Sequence, residues 1–358
     1  MSQSRRSFAS DNTAPIAPEV LAALARANHG SAHSYGDDPE TRRLSARARE
    51  IFETDLVIHP VTTGTAANAL ALAVMAPPCS AILCHELAHV NTDECGAPEF
   101  YTGGAKLMSL ASADGKIRAE QLAAPLAHAR EMGVHHVQPA AVSVSQATEW
   151  GTVYARAELA ALAAAAHAAG LGVHMDGARF ANALVHLGCS PAEATWKSGI
   201  DALTLGATKN GALAAEAVIF FDPARARDFE RHRKRAGHLW SKMRFLSAQL
   251  NAYLDDDLWL RCARHANALA QRLAGGLRAA GIGLHQTVQA NEVFALLPAP
   301  LVDELRAAGY EFYEWPAPPQ GTERLVRLVT AYDMAAADVD GLLAAVSRCA
   351  PERPLRSD

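Results

Sequence analysis

Val173-His174-Met175-Asp176-Gly177-Ala178-Arg179-Phe180 is followed by Thr208-Lys209-Asn210-Gly211, whose Lys stands thirty-three residues beyond the Asp. Both pieces read as the ends of short apolar strands that stop in polar or charged residues and then Gly. Strand ends of an α/β sheet are where ligands bind. An acid ending one strand and a lysine ending a later one can face the same crevice. A lysine there can form a Schiff base with a carbonyl cofactor, and an aspartate can hold a protonated pyridine nitrogen. Together they are the two protein groups that pyridoxal phosphate requires. Taken singly, Asp-Gly is also a common turn and Lys-Asn-Gly a common loop, so the reading depends on what surrounds them.

Upstream, Leu56 to Val61 reads as a strand. It is followed by Thr62-Thr63-Gly64-Thr65-Ala66-Ala67-Asn68 and an Ala/Leu helix to about Met75. A small, hydroxyl-rich turn entering a helix N-terminus suits phosphate, because free backbone N–H groups and the helix dipole point at one spot. The turn lacks the Lys of a Walker loop and the Gly triplet of a dinucleotide fingerprint, which argues against ATP and NAD. A plain N-cap would need only one of the hydroxyls. After a strand at Ala81 to Cys84 come His85, Glu86, His89, Asp93 and Glu94, without a zincin pattern. No metal is expected there, and the flat imidazole of His89 is suited to stacking on a planar cofactor.

The rest of the chain supplies a scaffold. A helix is expected from Pro39 to about Thr54, and another from Gly115 to Met132. A strand follows from His136 to Gln146, a helix from Ala155 to Ala169, a strand from Leu171 to Met175 and a helix from Ala178 to Leu187. Further strands are expected at Ala202 to Gly206 and Val218 to Phe221. Strands alternating with helices of ten or more residues predict an α/β fold with a mostly parallel sheet covered on both faces. Arg225 to Arg244 is strongly basic, either a charged helix face or a phosphate or interface contact. Residues 282–358 alternate in an α+β pattern. The expected division is an N-terminal arm plus large domain over 1–250 and a small domain over 251–358.

Composition narrows the class. The chain has 358 residues, 20% of them charged, and a formal net charge of −5, giving no reason to expect nucleic acid. Its six cysteines have no metal-ligand spacing and read as thiols of a reducing, cytoplasmic compartment. Ser4-Arg5-Arg6-Ser7-Phe8 lacks the apolar core of an export signal. The most hydrophobic window, Ala66 to Cys84, is broken by Asn68 and Pro77-Pro78, so no membrane segment is expected.

These motifs occur in the order found in fold-type I pyridoxal-phosphate enzymes. Ser34-Tyr35-Gly36-Asp37-Asp38-Pro39, Thr63-Gly64-Thr65-Ala66-Ala67-Asn68, His174-Met175-Asp176-Gly177-Ala178-Arg179 and Arg324-Leu325-Val326-Arg327-Leu328-Val329-Thr330 resemble L-threonine aldolases. The resemblance runs from Phe8-Ala9-Ser10-Asp11-Asn12 to the last strand. Ala88 to Phe100 and Ser241 to Ala248 resemble the bacterial low-specificity branch, which includes phenylserine aldolases.

The resemblance implies pyridoxal 5'-phosphate as cofactor and cleavage of L-threonine, L-allo-threonine or related β-hydroxy-α-amino acids to glycine and an aldehyde. An L-phenylserine aldolase, racemase or β-eliminating lyase is the alternative. It gives Lys209 the Schiff base, Asp176 the pyridine nitrogen, His89 the stack, and Gly64 and Thr65 the phosphate. Ser10, Arg179 and Arg327 would hold the substrate carboxylate. His136 matches a family histidine near the substrate, and Tyr35 would enter from a neighbouring subunit. Lys242 or Arg244 would make a cross-subunit phosphate contact. His89, His136 or a water they position would serve as base, in a homo-oligomer built as a dimer of dimers.

Overall fold

A computed structural model of the chain describes residues 6–315 and 322–349; Ser4 and Arg5 of the N-terminal arginine pair lie outside them. The first elements are α1 (Pro18–Ala27), α2 (Pro39–Phe52), β1 (Val57–Val61), α3 (Gly64–Met75), β2 (Ser80–His85), α4 (His89–Thr92), α5 (Ala97–Thr102) and β3 (Lys106–Leu110). Next come α6 (Ala123–Met132), β4 (Gln138–Ser145), α7 (Arg156–Ala168), β5 (Gly172–Gly177), α8 (Phe180–Leu187), β6 (Ala202–Gly206) and β7 (Glu216–Phe220). The remainder is α9 (Phe229–Arg235), α10 (Arg244–Leu254), α11 (Leu258–Ala279), β8 (Gly283–Leu284), β9 (Glu292–Pro298), α12 (Ala299–Ala307), β10 (Tyr313–Glu314), β11 (Glu323–Val329) and α13 (Ala336–Cys349).

The expected mostly parallel sheet is present, with seven strands in the order β1-β7-β6-β5-β4-β2-β3. The pairs β3–β2, β2–β4, β4–β5 and β5–β6 are parallel, while β7 runs against both neighbours. The C-terminal ends of β2, β4, β5 and β6 therefore open onto one edge. Strand β5 is buried along its whole length, as a central parallel strand must be when helices cover both faces. Helix α3 begins where Thr63 Oγ1 accepts the Ala66 N–H at 3.1 Å. Its Ala/Leu run has no polar face, and Ala66 through Leu72 are all buried.

The second sheet, β10-β11-β9-β8, is antiparallel and lies in the C-terminal part. The N-terminal arm is bound to it. Phe8 donates its N–H to Glu311 and accepts from Val329, both at 2.8 Å, and its ring is fully buried with Leu273, Val326 and Leu342. Helix α11 bridges the two cores: Trp259 and Ala263 pack with the large sheet, Leu269 and Leu277 with the small one.

Two expected helices start later than their composition suggests. The segment from Gly115 docks instead of coiling: Gly115 has φ +80°, the Ile117 N–H donates to Tyr154 Oη at 2.6 Å, and only a 3-10 turn at Ala119–Leu122 precedes α6. An added Cβ on Gly115 would stand 2.8 Å from Thr148 Oγ1, so the close approach itself requires glycine. Helix α8 begins at Phe180 because the Ala178 N–H is turned back onto Asp176 Oδ1 at 2.9 Å.

Candidate active site

The edge formed by the ends of β2, β4, β5 and β6 carries a cleft of about 640 Å³. Ser10, Gly64, His89, Asp176, Arg179, Lys209 and Arg327 all border it. Each sits just after a strand, at a helix start, on the N-terminal arm or on the small sheet, so chain segments far apart in sequence meet there.

Asp176 ends β5 with one oxygen accepting the Ala178 N–H and the other accepting Asn68 Nδ2, at 2.9 and 2.8 Å. Lys209 lies in the 3-10 turn Thr208–Asn210 after β6. That turn is held rigidly: Glu216 accepts the Ala207 N–H at 3.0 Å, and Asn210 donates to Tyr253 Oη and Trp259 O at 2.9 and 2.8 Å. Among the described residues, Nζ of Lys209 has no hydrogen bond or ion pair, which leaves the amine available for chemistry.

His89 opens α4, and its Nδ1 meets Glu94 Oε1 at 2.9 Å. Glu94 raises the affinity of the ring for a proton, burial opposes it, and the charges of Asp176 and Lys209 also bear on the ring; the balance is upward. Glu149 accepts the His89 N–H at 3.0 Å and the Ser145 hydroxyl at 2.5 Å. Burial pushes the Glu149 carboxyl up to about 7.

The two arginines differ. Arg179 donates Nε and Nη2 to Asp11 at 2.8 and 3.0 Å, and Nη1 stands 3.4 Å from Glu292. Its fork is already engaged, in the ion pair that a buried arginine needs. Arg327 is freer: one nitrogen reaches Ala9 O at 3.3 Å, another stands 3.7 Å from Glu292, and buried Nε has no partner among the described residues. The guanidinium lies over the rings of Trp315 and Tyr313, at 4.8 and 5.6 Å.

Thr65 is the second residue of α3, where the first amides of a helix lack intrahelical partners. Beside it, Gly64 has nothing within 4 Å of an added Cβ, so the helix N-terminus opens onto free space.

Thr65, next to Gly64, is not itself in the cleft lining, and four further expected site residues lie away from the cleft. His136 precedes β4, whereas the cleft lies past Ser145 at the other end of that strand, on the order of 25 Å away at strand rise. Its ring packs on His128 at 4.9 Å and its Nδ1 donates to Val137 O at 2.8 Å. Tyr35, Lys242 and Arg244 gather elsewhere: the Tyr35 N–H donates to Ser241 O at 3.0 Å, and Arg244 donates to Gly30 O at 3.1 Å. Tyr35 is 51% exposed, with Lys234 Nζ 4.4 Å from its ring centre.

Residues 7–299 of the chain match the beta-eliminating lyase family. The low specificity L-threonine aldolase of Pseudomonas aeruginosa is 46% identical over 314 residues, covering 87% of this chain and 90% of the relative. The chain belongs to the low-specificity L-threonine aldolase family. The enzyme of the same description from a Pseudomonas species is 45% identical over the same share. In structure the threonine aldolase of Leishmania major superimposes with a TM-score of 0.90, at 28% identity, over 96% of this chain and 99% of that one. A serine palmitoyltransferase from Sphingomonas wittichii, at 16% identity and TM-score 0.70 over 96% of this chain and 86% of that one, shares the fold alone.

This is a fold-type I enzyme, and its cleft fits the pyridoxal 5'-phosphate used by that family. An unpartnered lysine amine, a strand-end carboxylate and an open helix N-terminus match the aldehyde, the ring nitrogen and the phosphate respectively. Of the groups bordering the cleft, the sequence pattern passed over Glu149 and Glu292 as functional residues, and it also passed over Asp11, which meets the site through Arg179. Asn68 carried a signal, being the one strongly polar side chain inside an Ala/Leu helix.

Proposed function

We propose that this chain cleaves L-threonine, L-allo-threonine and related β-hydroxy-α-amino acids to glycine and an aldehyde. The observation that carries the reading is the meeting of three groups in one cleft: the free Lys209 amine, Asp176, and a His89 ring held by Glu94. When bound, pyridoxal 5'-phosphate supplies the electron sink for the pair released at the substrate's Cα.

Lys209 would tether the cofactor, Asp176 would hold a proton on its ring nitrogen, His89 would stack against its ring, and Gly64 and Thr65 would offer amides to its phosphate. Arg327 binds the substrate carboxylate through its guanidinium, which borders the cleft together with Ser10, and Arg179 frames the site through Asp11 and Glu292. Holding the carboxylate fixes the orientation of the bonds at Cα. With Nδ1 committed to Glu94, His89 has Nε2 left to take the proton of the β-hydroxyl. Loss of that proton accompanies Cα–Cβ cleavage, the aldehyde departs, and a proton delivered to Cα completes glycine.

Tyr35 with Lys242 or Arg244 forms one exposed group outside the cleft, which suits residues lent to the site of a neighbouring copy, as in a dimer of dimers. His136 would likewise act only on another copy's site. A cytoplasmic location, read from the cysteine usage, belongs to the same proposal. The test is product analysis with L-threonine: glycine and acetaldehyde in equal amounts are expected, whereas a keto acid product, or none, rejects the reading. L-Phenylserine in the same assay ranks aromatic against aliphatic substrates.

A further inference from the structure

Asn68 occupies a singular position in α3. Its side-chain nitrogen donates one hydrogen to Glu94 Oε1 and the other to Asp176 Oδ2, both at 2.8 Å, and the residue is 1% exposed. Glu94 is 4% exposed and uses the same Oε1 to meet His89 Nδ1 at 2.9 Å. A continuous chain of hydrogen bonds thus runs from the imidazole through Glu94 and Asn68 to the carboxylate ending β5. Asn68 Oδ1 and Glu94 Oε2 are buried without partners among the described residues.

We propose that Asn68 and Glu94 are positioning residues that couple His89 to Asp176 through one shared amide. The amide NH2 satisfies both acids from a single uncharged atom. A hydroxyl would leave one carboxylate unpaired, and the amide oxygen turned toward them would face two like charges. With Glu94 ionised, its oxygen accepts the Nδ1–H of His89, which fixes the tautomer and leaves Nε2 as the basic nitrogen. Protonation at Nε2 is then stabilised by a carboxylate at hydrogen-bond distance. The second Asn68 hydrogen holds Asp176 in place, so the electrostatic state of each acid is felt by the other.

The charged groups facing the ring come from several elements: Glu94 from the turn after α4, Asp176 from β5 and Lys209 from the turn after β6. Glu149, past the end of β4, holds the His89 backbone, and Asp93 borders the same cleft. Burial works to raise the Glu94 carboxyl, and the bonds from His89 and Asn68 oppose it without fully cancelling it. Removing either bond therefore weakens the anion on which His89 depends.

The experiment is an NMR titration of the His89 imidazole in the holoenzyme, with the acid limb of kcat/KM measured beside it. Glu94→Gln is expected to lower the His89 pKa by about one pH unit. Asn68→Ala, which leaves both acids in place, shifts it in the same direction by less, and serves where Glu94→Gln does not fold. Because Asn68 acts through Glu94, adding Asn68→Ala to Glu94→Gln produces no further change. A His89 titration that neither variant moves overturns the relay, as do shifts that add in full in the double variant. The relay rests on the proposed catalytic reading only for the kinetic limb. If the resonance moves and the limb does not, the relay stands and His89 loses its role as base.

Discussion

Arg179 closes a two-point ion pair onto Asp11, with Nε and Nη2 donating at 2.8 and 3.0 Å. The pair joins the N-terminal arm to the turn after β5, 168 residues apart in sequence. Asp11 also accepts from Asn291 at 3.0 Å. Burial works to raise its carboxyl, but the charges of Arg179 and Lys209 and the hydrogen bonds from Arg179 and Asn291 outweigh it and hold it below the usual carboxylate range.

Removing Asp11 leaves Arg179 buried beside Glu292 alone. Asp11→Ala is expected to destabilise the protein by about 3 kcal/mol, the cost of breaking one partner from a buried pair. Denaturant unfolding measures it, and a change below about 0.5 kcal/mol would show that the pair is not structural.

Lys209→Ala removes the one amine of the cleft without a partner. The absorbance band of bound cofactor that borohydride fixes to the chain should disappear together with turnover. Retained turnover without added amine rejects Lys209 as the tether.

Arg327→Lys keeps a positive charge but loses the planar fork stacked on Trp315 and Tyr313. KM for the amino acid is expected to rise roughly ten- to hundred-fold, with kcat changing less. An unaltered KM would move carboxylate binding to Arg179.

Glu216 is buried beneath the Lys209 turn, and burial raises its carboxyl from 4.5 to about 7. Protons bind the folded form more tightly, so this group's contribution to stability is full below pH 4.5 and is lost as pH rises through about 7. The difference between 4.5 and about 7 corresponds to about 3 kcal/mol. Glu216→Gln should therefore flatten the fall in unfolding free energy between about pH 5 and 8 and leave the variant the more stable form at the upper end. An identical slope in both proteins would remove Glu216 as its source.

Much of the site was legible because its groups follow short motifs at strand ends. Asp176, Lys209 and the Thr63-Gly64-Thr65 turn each sit where an apolar run stops, and a parallel sheet brings such stops to one edge. His136 shows the converse. It precedes its strand, so the same rule, applied consistently, puts it at the opposite edge. The late starts of α6 and α8 were not legible, since Ile117 is diverted by Tyr154 and Ala178 by Asp176 through bonds that local propensity does not encode.

By itself, then, the sequence determined the alternating α/β scaffold, the strand-end acid and lysine, and the phosphate-type turn, because hydrophobic period and turn chemistry act over a few residues. Only the tertiary structure decided which charges meet. It turned Arg179 onto Asp11, set Arg327 over the rings of Trp315 and Tyr313, and placed one Asn68 amide between Glu94 and Asp176. Those pairings depend on how distant segments close around a common edge, where burial makes an unpaired charge costly.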